Sequence, residues 1–428
     1  MISDTIYALS SGNPPAGIAV VRISGPRALE ALEQLAGSLP EPRRASLAAL
    51  HDPASGELLD QALVLRFDGP QTATGEDLAE LHLHGGRSVI EGALDSLSRI
   101  QGLRPAVAGE FTRRAFQNGR IDLTEAEGLA DLLTAETQGQ RRAALLLAGG
   151  QLSRNIQDWQ SRLLGLSARV EAALDFSDEG DVGDGGLDER WRSDLAALIQ
   201  EIQALLRAPP AERLKDGVKV VIAGPPNAGK SSLLNYLAGR EAAITSALAG
   251  TTRDLVEAPI SIGGMPFLLV DTAGLRDAID EIERIGIDRA HSSLSDADLI
   301  LWLGGAENMP PRERTIWLET KIDLLAERNS EADLSISSVT GEGIDALTGL
   351  LLAKAQKLLP QEGEVAINRR HRSILEEVLT QLRDVEHPDL LIIAENLRLA
   401  RGQLDRITGR AGVEDMLDAL FGTFCIGK

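Results

Sequence analysis

The chain has 428 residues, 43% hydrophobic and 25% charged, which are globular proportions spread over too much chain for one core, so roughly two to four domains are expected. Only 3% of residues are aromatic, so leucine and alanine must fill most interiors. A net charge of −21 excludes indiscriminate polyanion binding, and the single cysteine, Cys425, excludes an intrachain disulfide; with neither a leader-like start nor a membrane-length apolar run, a cytoplasmic protein is expected.

From Asp4 to about residue 120, β-rich runs alternate with helical stretches and Gly/Pro turns. The runs are Ile18-Ala-Val-Val-Arg-Ile23, Ala62-Leu-Val-Leu-Arg-Phe67 and Leu78-Ala-Glu-Leu-His-Leu-His84. They predict an α+β domain over 1–120. From Leu123 to about residue 207 the pattern becomes long Ala/Leu-rich helices, broken by the acidic, glycine-rich stretch 177–186, which reads as a loop. Pro209-Pro210 closes that block, and Val218-Lys-Val-Val-Ile-Ala223 begins a buried strand. After Pro360 helices return. The expected architecture is multidomain: a doubly wound α/β unit over 217–358, inserted into an all-α domain whose halves are 121–210 and 365–428. No internal repeat is visible.

Gly224-Pro-Pro-Asn-Ala-Gly-Lys-Ser231 lies between that strand and a helix, the context in which loop amides point at phosphate oxygens. Lys230 can reach the terminal phosphates, and the Ser231 hydroxyl can ligate Mg2+. A chance glycine turn would not be followed, in order, by Gly250-Thr-Thr-Arg-Asp254, Asp271-Thr-Ala-Gly-Leu275, Thr320-Lys-Ile-Asp323 and Ser337-Ser-Val339. Asp271 closes a strand where a carboxylate can hold the metal shell, Thr252 is the second candidate Mg2+ ligand, and the Gly274 amide can sense the terminal phosphate. Asp323 is a bidentate acceptor for the N1 and N2 hydrogens of guanine, which implies GTP.

Three features depart from the usual pattern. Thr320 stands where most GTP-binding domains carry Asn, so a side-chain amide is lost and modest affinity is expected. Residues 304–314, with Pro310-Pro311, are too short for a helical crossover between parallel strands, so the domain reads as trimmed. Leu275 stands where Ras-like enzymes place a water-orienting Gln, so another group, among Asp277, Asp280, Glu281 and Glu283, must serve. Basic clusters at Arg113-Arg114, Arg141-Arg142 and Asn368-Arg-Arg-His-Arg372 could touch RNA, although clusters of that size are mostly solvated helix faces. His82 and His84 share a strand face without a third ligand, which reads as a strand end rather than a metal site. Cys425 could be a nucleophile or a redox thiol, but a lone cysteine in an apolar tail more often packs.

Over essentially its full length the chain resembles the MnmE (TrmE) family of tRNA-modification GTPases. The resemblance rests on Asp4-Thr-Ile6, Val21-Arg-Ile-Ser-Gly25, Gly75-Glu-Asp-Leu-Ala-Glu80, His84-Gly-Gly86, Gly109-Glu-Phe-Thr112, Arg114-Ala-Phe116, Gly229-Lys-Ser-Ser-Leu-Leu-Asn235, Gly250-Thr-Thr-Arg-Asp254, Asp271-Thr-Ala-Gly-Leu-Arg276 and Phe424-Cys-Ile-Gly-Lys428. It implies a cytoplasmic homodimer that pairs through its N-terminal, folate-binding domain. With a flavoprotein partner, MnmG (GidA), in a heterotetramer, such a protein forms 5-carboxymethylaminomethyl or aminomethyl uridine at the tRNA wobble position, and no membrane is involved. The carbon would come from a tetrahydrofolate derivative, 5-formyl- or 5,10-methylene-tetrahydrofolate.

The site residues that the resemblance implies for GTP are Asn227, Ala228, Gly229, Lys230, Ser231, Ser232, Ser246, Ala247, Leu248, Ala249, Gly250, Thr251, Thr252, Asp271, Thr272, Ala273, Gly274, Lys321, Asp323, Ser337 and Ser338. K+ would be held by Asn227, Ser246, Leu248 and Thr251, taking the place of an arginine finger, with Ser246 standing where Thr is commoner. The water-orienting carboxylate falls on Glu283. The folate pocket carries over to Arg22, Glu80, Arg120 and Lys428. Arg22 and Lys428 would pair glutamate carboxylates, and Glu80 would accept from the pterin. Two other readings stay open at this point. A ribosome-assembly GTPase of the Era or EngA kind would need a KH domain around Gly409-Arg-Ala-Gly412 or a second G domain; a folate-dependent one-carbon transferase with a regulatory G domain would act without tRNA.

Overall fold

The computed structural model describes residues 4–175, 187–240, 242–243, 257–271, 294–325, 328–361, 363–385, 388–411 and 414–428. The chain divides into two compact units, Met1–Ala130 with Asp405–Lys428, and Asp131–Leu404.

In the first unit, β1 (Thr5–Leu9), β2 (Ile18–Ser24), α1 (Ala28–Ala36), β3 (Ser46–His51), β4 (Leu58–Phe67), β5 (Leu78–His84), α2 (Arg87–Ser98) and β6 (Leu103–Pro105) form a sheet with two covering helices. The strand order is β3-β4-β5-β2-β1-β6, antiparallel except for the parallel pair of β1 and β6. Period-two alternation sorts its side chains. Val21, Ile23, Leu81 and Leu83 point with Tyr7 into the core that Leu32, Leu35, Ile90 and Leu97 complete. The opposite face carries Arg22, Glu80 and His82 beside the exposed Ile18, Leu47 and Leu63. Two further helices follow, α3 (Glu110–Gln117) and α4 (Leu123–Thr134).

The second unit begins with α5 (Gln138–Ala148), whose capping box joins Thr137 and Gln140, then α6 (Gln151–Asp175) and α7 (Glu189–Arg207). The last two pack through Trp159, Leu163 and Leu166 on one helix and Trp191, Leu195 and Leu198 on the other; the Trp191 indole donates to the Leu166 carbonyl across 3.1 Å. The short α8 (Ala211–Asp216) leads into β7 (Val218–Ala223), α9 (Lys230–Arg240), β8 (Ala242–Ala243), β9 (Glu257–Ile262), β10 (Met265–Asp271), β11 (Leu299–Trp302), β12 (Thr315–Glu319), β13 (Leu334–Ser335) and α10 (Ile344–Ala355). Their sheet has the order β13-β12-β11-β7-β10-β9-β8, with a parallel centre and antiparallel β8 and β9 at one edge. Val218, Val220 and Ile222 face the large core shared with α9 and α10, and Val221 and Ala223 face the other side. The α11 helix (Arg369–Arg383) packs on α7; α12 (Leu390–Thr408) and α13 (Glu414–Gly422) complete the chain.

The parallel strands β11 and β12 are joined by a segment with only a 3-10 turn, Ala306–Asn308. Two tryptophans stand where a crossover helix would lie. Trp302 and Trp317 are register partners on the same face; the first donates to the Gly305 carbonyl across 2.9 Å and the second to the Gly304 carbonyl across 2.8 Å. Their rings cover the sheet and their N–H groups satisfy the connecting backbone.

Candidate functional site

The phosphate loop leaves β7 and enters α9 with three residues at positive φ, Gly224 at 153°, Asn227 at 61° and Gly229 at 97°. Gly229 supplies the conformation without strain, while Asn227 is among the side chains that tolerate it. Lys230, the first residue of α9, is buried and its ammonium donates to the Gly224 and Pro225 carbonyls across 3.1 and 2.9 Å. A cation therefore lies under the loop, at the N-terminus of α9, where the helix dipole favours an anion.

β7 and β10 are parallel, with Ile222 beside Asp271, so the end of β10 comes level with the loop. There the Ser231 hydroxyl donates to Asp271 Oδ2 across 2.5 Å. A hydroxyl and a buried carboxylate held together in this way are a hard-oxygen donor set that suits Mg2+. Ser232 follows on the exposed first turn of α9.

The base-reading loop is tied to the phosphate loop. Thr320 donates its hydroxyl to the Ala228 carbonyl across 2.7 Å, and Lys321, at φ 59°, donates its ammonium to the Asn227 carbonyl across 2.6 Å. Asp323 is exposed, and one of its oxygens accepts from the buried Ser337 hydroxyl across 2.5 Å, which in turn accepts from the Val339 and Thr340 amides. The carboxylate is thus oriented with its other oxygen available, and Ser338 lies beside this chain of bonds. The hydroxyl tether of Thr320 was not visible in the sequence, because the motif shows only that an amide is missing. Ser246, Ala247, Leu248, Ala249, Gly250, Thr251, Thr252, Thr272, Ala273, Gly274 and Glu283 lie outside the described residues.

In the first unit, Arg22 and Glu80 are register partners across β2 and β5, and their side chains pair with N–O distances of 2.9 and 3.1 Å. The second Glu80 oxygen meets His82 Nε2 at 3.2 Å, and the Arg22 guanidinium lies 5.8 Å from the Phe111 ring centre. Sequence reasoning singled out neither His82 nor Phe111 for this group; Phe111 sits inside the Gly109-Glu-Phe-Thr112 motif, which was the available signal. Arg120 donates instead to the Thr72 carbonyl across 3.1 Å, and among the described residues neither it nor Lys428 bonds to the Arg22–Glu80 pair. His84 bonds to Asp60 at 2.8 Å.

The C-terminal segment lies against β1. Ile426 bridges to Ala108, the Phe421 ring lies tilted between those of Phe116 and Phe424, and Gly427, at φ 95°, sits so close to the Leu9 carbonyl that a Cβ would be 2.1 Å from it. A cleft of about 1240 Å³ opens here, lined by Tyr7, Ser98, Pro105, Cys425 and Ile426 among others, and Cys425 is exposed rather than packed.

In two of the basic clusters, side chains are committed to structure. Arg114 is buried and bonds Asp4, Glu76 and Glu110, while Arg113 pairs with Asp418 at 2.5 Å over the Phe421 ring. Burial raises the Glu110 pKa, but the bonds from Arg104, the Val107 amide and Arg114 outweigh it and hold the carboxyl below its usual range. Burial likewise opposes ionisation of Asp4, and the Arg104 bond, with the charges of Arg104 and Arg114, prevails. Arg372 caps the C-terminus of α7 through the Leu206 and Ala208 carbonyls, and His371 is buried in the capping box of α11.

Two family models match the chain: the MnmE helical domain over residues 123–425 and the N-terminus of the GTP-binding protein TrmE over residues 5–120. The chain is similar to proteins named tRNA modification GTPase MnmE. It is 58% identical to that of Rhizorhabdus wittichii, covering 100% of this chain and 97% of the relative. To that of Novosphingobium aromaticivorans it is 56% identical, covering 100% of both, and to that of Zymomonas mobilis 51% identical, covering 99% of this chain and 100% of the relative.

Proposed function

The chain belongs to the MnmE family of tRNA modification GTPases, and on that premise we propose that it hydrolyses GTP as one component of the system that modifies wobble uridines in tRNA. The observation that carries the GTPase reading is the corner where Lys230, Ser231 and Asp271 meet at the phosphate loop. GTP would lie with its phosphates on the loop and its guanine N1 and N2 hydrogens on Asp323. Occupying the site, its terminal phosphates would draw Lys230 from the Gly224 and Pro225 carbonyls, exchanging neutral acceptors for anionic ones. Water attacks the γ-phosphorus, the bond to the β–γ bridging oxygen breaks, and GDP leaves with inorganic phosphate.

Mg2+ would be held by Ser231 and Thr252, and K+ by Asn227, Ser246, Leu248 and Thr251; both supply positive charge that neutralises the phosphates. Glu283 orients the attacking water, in the role that Leu275 cannot fill. The remaining contacts would come from the Gly250, Thr272, Ala273 and Gly274 segments, as in the motif pattern above.

The N-terminal domain, about 1–120, would bind a tetrahydrofolate derivative, 5-formyl- or 5,10-methylene-tetrahydrofolate, which supplies the carbon. Arg22, Glu80, Arg120 and Lys428 would hold it, and the charged pair set among exposed apolar side chains on the sheet face supports that role for the first two. Exposed Ile18, Leu47 and Leu63 on the same face support a homodimer formed through this domain. The helical domain, 121–210 with 365–428, would relay the state of the G domain, 217–358. The flavoprotein MnmG would be the partner in a cytoplasmic heterotetramer, and the product 5-carboxymethylaminomethyl or aminomethyl uridine. Among the described residues no helix is long and apolar enough to cross a membrane. Mass analysis of wobble uridines in tRNA from cells with and without this gene tests the reading, and an unchanged modification pattern would sink it.

A further inference from the structure

The two bonds between the base-reading and phosphate loops have different chemistry. Lys321 carries three N–H donors, whereas the Thr320 hydroxyl has one hydrogen, and that hydrogen is directed to the Ala228 carbonyl at 2.7 Å. What Thr320 can still offer a ligand is lone pairs. Guanine presents two kinds of edge: N1–H and N2–H are donors, while N7 and O6 are acceptors. Asp323, oriented by Ser337, is an acceptor and matches the donor edge. A second acceptor at position 320 has nothing to give N7. A side-chain amide in its place could hold the Ala228 carbonyl with one N–H and keep the other for the base.

We propose that Thr320 is a positioning residue: it fixes the base-reading loop to the phosphate loop through Ala228, and the site reads guanine by its N1/N2 edge through Asp323, leaving N7 unread from position 320. This rests on the GTP reading above. It replaces the simple expectation of a weakened site with a specific one, in which loop positioning is retained and only one base contact is missing.

The test uses the full chain with Mg2+ and competition binding of GDP against 7-deaza-GDP, which lacks the N7 acceptor. Wild type is expected to bind the two within threefold of each other. Thr320→Asn should restore a preference for GDP of about three- to tenfold, the worth of one hydrogen bond. Thr320→Val, which cannot make the tether, should weaken both nucleotides alike by about tenfold, and Thr320→Ser should recover that loss. A wild-type preference for GDP above threefold overturns the proposal, as does a Thr320→Val variant that binds GDP like wild type. The wild-type comparison and Thr320→Asn do not depend on whether the valine variant folds. Failure of wild type to bind GDP at all would instead overturn the nucleotide reading itself.

Discussion

The Ser231 hydroxyl, in the first turn of α9, donates to the Asp271 carboxylate at the end of β10 across 2.5 Å. The parallel register of β7 and β10 brings them together. If the pair is a Mg2+ corner, Ser231→Ala and Asp271→Asn should each abolish most of the gain in GTP affinity that Mg2+ gives, at least about tenfold. Titrating a non-hydrolysable GTP analogue with and without EDTA measures this; an undiminished Mg2+ effect in both variants would refute the metal assignment.

GTP turnover in KCl should exceed that in NaCl by about tenfold or more, as expected if a monovalent cation takes the place of a guanidinium on the phosphates. Glu283→Ala should lower kcat by about a hundredfold while sparing GTP binding. Equal rates in the two salts would remove the K+ assignment, and an unaffected Glu283→Ala variant would remove the carboxylate.

The tail against β1 can be tested through one glycine. Gly427→Ala combines a positive φ with a Cβ only 2.1 Å from the Leu9 carbonyl, whereas Gly422→Ala meets nothing within 4 Å. Gly427→Ala should therefore weaken binding of 5-formyl-tetrahydrofolate by about tenfold or more, and Arg22→Ala should do the same by removing a charged partner. Calorimetric titration with the folate decides; matching affinities for the Gly422 and Gly427 variants would disconnect the tail from the folate site.

The network around Arg114 makes stability depend on acid. The Glu110 carboxyl is held below its unfolded value of 4.5, so its pairing stabilises the folded chain above that pH. The contribution fades as pH falls through the lower folded value. Glu110→Gln should cost about 2 kcal/mol at pH 7, and the gap to wild type should narrow as pH falls below 4.5 and through the lower folded value. Hydrogen exchange at the β1 and β6 amides reads this, and a gap independent of pH would contradict it.

Trp317 is buried and Trp302 partly so, on the face that lacks a crossover helix. Trp317→Ala should destabilise the second unit by about 3 kcal/mol, and Trp302→Ala by less. Denaturant unfolding followed by the remaining tryptophans would expose the reverse order if the covering role is wrong.

Much of the fold was legible because it is a matter of period. The alternation in Leu78-Ala-Glu-Leu-His-Leu-His84 gave β5, and the unbroken apolar run Val218-Lys-Val-Val-Ile-Ala223 gave the central strand. The phosphate loop was legible because its glycines, lysine and serine act within a few residues of one another, where spacing along the chain is spacing in space. The short link after β11 could be counted, but not that two tryptophans would cover the sheet there, since that depends on the pairing of β11 with β12. Only register set Arg22 opposite Glu80, and only long-range packing decided that Arg114 is buried among carboxylates and Arg372 caps α7, although both read as surface charge. The base-reading motif fares the same way: sequence showed an amide missing at Thr320, and tertiary structure turned the remaining hydroxyl towards Ala228. Motifs record which groups are present; which partner each group takes is settled by elements distant in sequence, through register and burial.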